Sequence, residues 1–209
     1  MARNGSLQAH RSAAGRRGDE GFSLPELLAA LAVLGIVAGI GFYTVHTGGW
    51  RSGAVAGQLA QRLQLAATRA VFQQNDFVVT FDLATNTYSI HDDRNSDGTV
   101  NTSIGETVTT YDLDSGGTRI VFGIPSGVDG IDGSAPSAAV TFPGSPPRIT
   151  FTPRGTATTG EIYLVPAEDL DRGLPDRMRA ITVSAATARI RRWRYDAQSS
   201  SPGPWRLEQ

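Results

Sequence analysis

Apolar residues along this chain follow three rules in succession. Over residues 22–43 nearly every position is apolar or small, and the only charge is Glu26. A helix of that length, at about 1.5 Å per residue, crosses a hydrocarbon core of about 30 Å, so the run predicts a membrane-spanning segment. Over residues 51–75 the pattern turns periodic: Val55, Leu59, Leu63, Ala66 and Ala70 recur at spacings of four, four, three and four. That is one face of a helix, with Gln58, Gln61, Arg62, Arg69 and Gln73 on the other, which predicts a helix lying on a soluble core rather than in lipid. Gly48-Gly49 lies between the two parts and marks a point where the helix could bend.

Past Asn75 the period shortens to β-type runs at 77–81, 87–91, 106–113, 119–122, 139–142, 148–152, 161–165, 179–184 and 188–195, separated by turn residues. Thr85-Asn86 suits a tight hairpin, residues 125–147 suit a long surface loop, and the Ser-Pro-Gly run near the end suits a loose tail. The expected architecture is α+β: one long N-terminal helix, membrane-spanning in its first half, packed on a mostly antiparallel sheet. The boundaries are 1–21, a charged leader; 22–47, the spanning half; 48–75, the amphipathic half; 76–197, the β-rich domain; and 198–209, the tail.

Composition removes many activities. There is no cysteine, which excludes disulfides, thiolate metal sites and a cysteine nucleophile. Lysine is absent too, so all 19 basic residues are arginine and no phosphate-loop or Schiff-base lysine exists. The net charge of -1 leaves attraction to nucleic acid or anionic lipid to local patches. Arg3, Arg11, Arg16 and Arg17 precede the apolar run and only Arg51 follows closely, so the positive-inside rule puts the N-terminus in the cytoplasm and the β-rich domain outside.

The start of the apolar run carries the most specific signal. A secretory signal fits poorly, because the small-residue site Ala54-Val55-Ala56 lies far beyond the run and inside the amphipathic face. Gly21-Phe22-Ser23-Leu24-Pro25-Glu26 instead resembles the type IV prepilin cleavage site, where glycine precedes an aromatic residue and glutamate falls five residues after the cut. The resemblance implies that prepilin peptidase cuts between Gly21 and Phe22 and methylates the new amine of Phe22. It also implies that Glu26 meets the N-terminal amine of a neighbouring pilin or pseudopilin during assembly. An acidic residue in a spanning helix costs at least about 2.5 kcal/mol and usually marks function; its alternative here is a carboxylate that reaches the headgroups. Gly35 and Gly39 would let another helix approach closely.

Within that group the chain resembles the GspH/FimT minor pseudopilins and minor pilins. The residues carrying this are the helix around Ala66, Arg69 and Ala70 running into the strand at 77–81, then Phe151-Thr152-Pro153-Arg154-Gly155, Gly160-Glu161-Ile162-Tyr163-Leu164, and Ala188-Arg189-Ile190. The group commonly has glycine where Ala188 stands. The resemblance implies a structural subunit of a type II secretion pseudopilus or a type IV pilus, in the inner membrane; the alternative is a DNA- or substrate-binding minor pilin at a filament tip.

Three further features bear on chemistry. Asp93-Arg94-Asn95-Ser96-Asp97-Gly98 has the opening of a calcium loop, but the nearest acid, Glu106, comes two residues late. Asp93, Asn95, Asp97 and Glu106 are therefore either a calcium site between strands or a polar turn satisfying its own backbone; no other cofactor is expected. His10, His46 and His91 form no ligand cluster by spacing, Asp92-Asp93 and Asp169-Asp171 read as solvated loop charges, and no catalytic motif is present, so no enzyme activity is expected. Near the end, Arg189, Arg191, Arg192 and Arg194 surround Trp193, with Tyr195 following: a candidate DNA patch, or a charged edge strand that discourages aggregation. Strand alternation splits it, with Arg189, Arg191, Trp193 and Tyr195 on one face and Arg192 and Arg194 on the other.

Overall fold

The structure, a computed structural model, describes residues 24–113, 119–199 and 203–208, with the backbone alone over 38–49. The leader 1–21, the cleavage pair Gly21 and Phe22, and His10 lie outside the described residues. The chain divides into two units, Met1–Phe42 and Tyr43–Gln209. Helix α1, Leu24–Gln73, contributes to both.

In the first unit, Pro25 sits in the first turn of α1, where its missing N–H costs no intrahelical bond. Glu26 is in the same turn, where the positive end of the helix dipole favours a carboxylate. Leu31, Val33, Leu34, Ile36 and Val37 are all 60–64% exposed. Those positions go round the helix, so this stretch has no buried face of its own. Among the described residues no helix is long and apolar enough to cross a membrane; the span expected over 22–43 lies partly outside them.

In the second unit α1 runs through Gly48-Gly49 unbroken. The five periodic residues Val55, Leu59, Leu63, Ala66 and Ala70 are buried, together with Ala56, Ala60 and Ala67. Small alanines let the helix sit close to what it covers. Gln74 ends the helix with φ 60, the left-handed residue that commonly turns the chain out of an α-helix.

The strands that follow are β1 (Asp76–Asp82), β2 (Thr87–Asp93), β3 (Val108–Asp112), β4 (Ile120–Phe122), β5 (Arg148–Phe151), β6 (Gly160–Pro166), β7 (Arg179–Val183), β8 (Ile190–Tyr195) and β9 (Trp205–Glu208), with helix α2 (Ala167–Arg172) between β6 and β7. They form two sheets, β3-β2-β1-β5 and β4-β6-β7-β8-β9, and every pairing is antiparallel. The β1–β2 turn closes at Asn86 with φ 54, while Asp82 accepts the N–H groups of Ala84 and Thr85 at 2.9 and 3.2 Å.

One core joins α1 to both sheets: Phe77, Val79, Phe81, Ile149 and Phe151 from the first sheet, and Ile120, Phe122, Ile162, Leu164, Ile181 and Val183 from the second. Phe81 sits at their junction, edge-on to Phe122 at 5.7 Å and stacked with Phe142 at 6.0 Å. A second cluster on the other face of β6 and β7 gathers Tyr163, Val165, Met178, Ala180 and Trp205.

The α+β architecture is the expected one, with four local differences. The run at 139–142 makes only an isolated bridge, Val140 to Ile162, because β4 takes the same edge of β6 from Leu164 onward. Within the expected loose tail, Trp205–Glu208 is a strand held by pairing to β8. That pairing makes β8 an interior strand, so the charged-edge reading of its arginines does not hold. Asp169, expected in solvent, is 1% exposed and held by Arg177, which donates from Nε at 2.6 Å and also from Nη2.

Candidate functional site

The acidic loop hangs between β2 and β3. The two strands pair with His91 opposite Val108, and beyond it the Asp92 N–H bonds the Thr107 carbonyl at 3.0 Å. Continuing that register sets Asp93 across from Glu106. Alternation along β2 puts His91 and Asp93 on one face, opposite to the face that carries Tyr88. All three side chains are buried: His91 is 6% exposed, Asp93 1% and Glu106 3%. Their ligand atoms, one imidazole nitrogen and two carboxylate oxygens, lie within 4.8 Å of one another.

The loop folds its own backbone onto these carboxylates. Asp93 accepts the N–H of Asp97 on Oδ1 at 3.2 Å and that of Gly98 on Oδ2 at 2.7 Å. Gly98 has φ +73, a backbone conformation that side chains strain. Glu106 accepts the N–H of Arg94 on Oε1 at 3.0 Å and that of Asn101 on Oε2 at 2.6 Å. His91 Nε2 lies 3.0 Å from the same Oε2. Burial pushes the Glu106 carboxyl up, but the Asn101 N–H, the His91 imidazole and the Arg94 N–H together hold it below the usual carboxylate range. Asp92, on the other face of β2, is tied by Asn75 Nδ2 at 3.1 Å and by Arg94 Nε at 3.4 Å.

The structure therefore brings together two of the four expected loop ligands, Asp93 and Glu106, and adds His91. Asn95 and Asp97 are exposed. They bond to each other, Asn95 Nδ2 to Asp97 Oδ2 at 2.8 Å, and to the loop backbone. Sequence spacing missed His91 because its partner Glu106 is fifteen positions away; the available signal was alternation, which sets His91 and Asp93 two apart on one strand face. Asp92 and Asp93, expected in solvent, are instead buried.

Exposure along 189–194 cuts across the expected strand alternation, with exposed arginines on both faces. Arg189, Arg191 and Arg194 are exposed, while Arg192 and Trp193 are half-buried. Arg192 pairs in register with Glu208, and Arg194 stands between Arg179 and Arg206. Trp193 donates its indole N–H to the Thr182 hydroxyl at 3.1 Å and packs on the second cluster. Tyr195 meets Trp205 edge-on at 5.3 Å. Both aromatic side chains are thus committed within the domain. Glu26 stands in the first turn of α1, exposed.

Comparison with known proteins places this architecture. The family model for the type II transport protein GspH matches residues 55–187, and that for the prokaryotic N-terminal methylation motif matches residues 16–42. The chain belongs to the GspH family of type II transport proteins and carries the methylation motif ahead of the matched domain. Among solved structures it is similar to the minor pseudopilin EpsH from the Type 2 Secretion System of Vibrio cholerae, at 17% identity and a TM-score of 0.40, over 75% of this chain and 95% of that one. No curated protein matches the chain at a significant level.

Proposed function

We propose that this chain is a minor pseudopilin of a type II secretion system, a structural subunit made as a precursor and built into a short filament. Prepilin peptidase cuts between Gly21 and Phe22, and the new amine of Phe22 is methylated. The segment 22–47 holds the subunit in the inner membrane with its N-terminus in the cytoplasm and the β-rich domain on the far side. Glu26 then pairs with the amine of a neighbouring pseudopilin as helices pack. The observation that carries this reading is the register of Gly21, Phe22 and Glu26 inside the segment matched by the methylation motif. Support also comes from the apolar side chains exposed all round the first part of α1, a surface that needs lipid or other helices to cover it.

Intact-mass and N-terminal analysis of the protein from its own host tests processing: the expected chain begins at methylated Phe22, and a terminus at Gly57 or an uncut chain overturns the reading. Glu26→Ala is expected to insert and fold but to co-purify less with partner pseudopilins; unchanged co-purification rejects the pairing. A DNA-binding role at a filament tip draws instead on the exposed Arg189, Arg191 and Arg194. It requires micromolar, salt-sensitive gel-shift binding by the full chain that is lost when all three are alanine.

A further inference from the structure

We propose that His91, Asp93 and Glu106 form a binding site for a divalent first-row metal ion, of which zinc has the best-matched chemistry. The donor set is one imidazole nitrogen and two carboxylate oxygens, a combination that zinc accepts in tetrahedral sites with bonds of about 2.0–2.2 Å. Such bonds put neighbouring ligand atoms roughly 3.3 Å apart. The 3.0 Å between His91 Nε2 and Glu106 Oε2 is already close to one edge of that tetrahedron, and the Asp93 carboxylate lies within the same 4.8 Å cluster.

Charge supplies an independent reason. Asp76 pairs in register with Asp93 across β1 and β2, and Asp93 stands opposite Glu106 just ahead of β3, so three acidic residues form a row across two strands and the start of a third. Like charges facing each other across strands destabilise a sheet, and buried carboxylates are ordinarily paired or bound to metal. Among the described residues no arginine forms an ion pair with Asp93 or Glu106: the nearby Arg94 guanidinium is turned to Asp92 and the Ile104 carbonyl, and the side chain that meets Glu106 is the imidazole of His91. Backbone N–H groups ease this imbalance without neutralising it. A divalent cation does both.

The site is also oriented in advance. His91 is fixed by pairing on both sides of β2 and Asp93 by pairing with β1, and the N–H groups of Arg94 and Asn101 aim the Glu106 carboxylate, the kind of outer support that tunes metal ligands. Binding replaces the hydrogen at His91 Nε2. A neutral imidazole moves its single proton to Nδ1, and an imidazolium keeps the Nδ1 proton and releases the Nε2 proton to solvent. Calcium is the poorer fit, since it takes six to eight oxygen ligands and has no use for the nitrogen, while Asn95 and Asp97 are exposed and bond to each other.

The test uses the full chain in mild detergent, without a histidine tag and stripped of metal, titrated calorimetrically with zinc chloride and separately with calcium chloride. One zinc per chain is expected, together with a higher melting temperature, because binding to the folded state alone stabilises it. His91→Gln should weaken zinc binding at least about tenfold, whereas Asn95→Ala should leave it unchanged. X-ray absorption at the zinc edge of the parent protein, which needs no variant, should show one imidazole nitrogen among oxygen ligands. No zinc binding by the parent overturns the proposal. So does undiminished binding by folded His91→Gln, which would move the ion to His10 or His46, or an all-oxygen zinc environment. Calcium binding lost in Asn95→Ala, with no zinc binding, likewise overturns it in favour of an oxygen-only loop site.

Discussion

The guanidinium of Arg62 on α1 stands 3.9 Å from the centre of the Tyr111 ring on β3. It also donates from Nη1 to the hydroxyl of Tyr88 on β2 at 2.6 Å, and the two tyrosine rings stack at 5.4 Å. Burial pushes the Tyr88 hydroxyl up by more than the bond and charge of Arg62 pull it down. One side chain thus ties the helix to two strands. Arg62→Met keeps most of the apolar stem but loses the charge and the donor. A cation over an aromatic face contributes about 0.5–2 kcal/mol and a hydrogen bond about 1 kcal/mol, so a loss of about 1–3 kcal/mol is expected. Denaturant unfolding of the full chain in detergent measures it, and an unchanged midpoint rejects the tie.

Trp205 makes the final strand part of the fold. It is 6% exposed, donates its indole N–H to the Asp129 carbonyl at 3.0 Å, and meets Tyr163 and Tyr195 at 5.7 and 5.3 Å. Trp205→Ala should cost about 3–5 kcal/mol, as for other buried aromatic truncations. If the segment were a loose tail, the same substitution would leave the melting temperature where it was.

Gly160 opens β6 directly against the Phe142 ring. A Cβ at this position would lie 2.5 Å from Phe142 Cδ1, closer than any real contact. Phe142 is itself 4% exposed within the main core and has little room to retreat. Gly160→Ala is therefore expected to lose about 1–3 kcal/mol by overpacking. Equal stability of the two proteins would show that the ring can move freely.

Gln74 offers a change in the opposite direction. It holds φ 60 just past the end of α1, and its side chain makes an exposed bond to the Val71 carbonyl at 2.6 Å. Gln74→Gly removes the left-handed strain of about 1–2 kcal/mol and gives back part of it through a freer unfolded chain. A net gain of about 0.5–1 kcal/mol is expected, read as a higher melting temperature; a lower one would mean that the side-chain bond outweighs the strain.

The helix was legible in the sequence because its information is local. Val55, Leu59, Leu63, Ala66 and Ala70 repeat at the period of an α-helix, and all are buried. Short strands could be read for a similar reason: alternation and turn residues mark 77–81 and 87–91, which lie within β1 and β2. The glycine, aromatic and glutamate at 21, 22 and 26 could also be read, since spacing along the chain is all that signal contains.

Other features depended on partners that spacing cannot name. Trp205–Glu208 is four residues beyond a Pro-Gly-rich stretch, and it is a strand only because β8 offers it an edge. The same pairing turned the arginines of β8 from an outer strand into an inner one. Asp169 is buried because Arg177 folds back on it from beyond α2. His91 and Glu106 meet because the β2–β3 register brings together positions far apart in sequence, and the loop between them turns its N–H groups inward. Local period and turn chemistry thus determine which segments become helix and strand; pairing and burial, which act between distant residues, decide which charges end up facing one another.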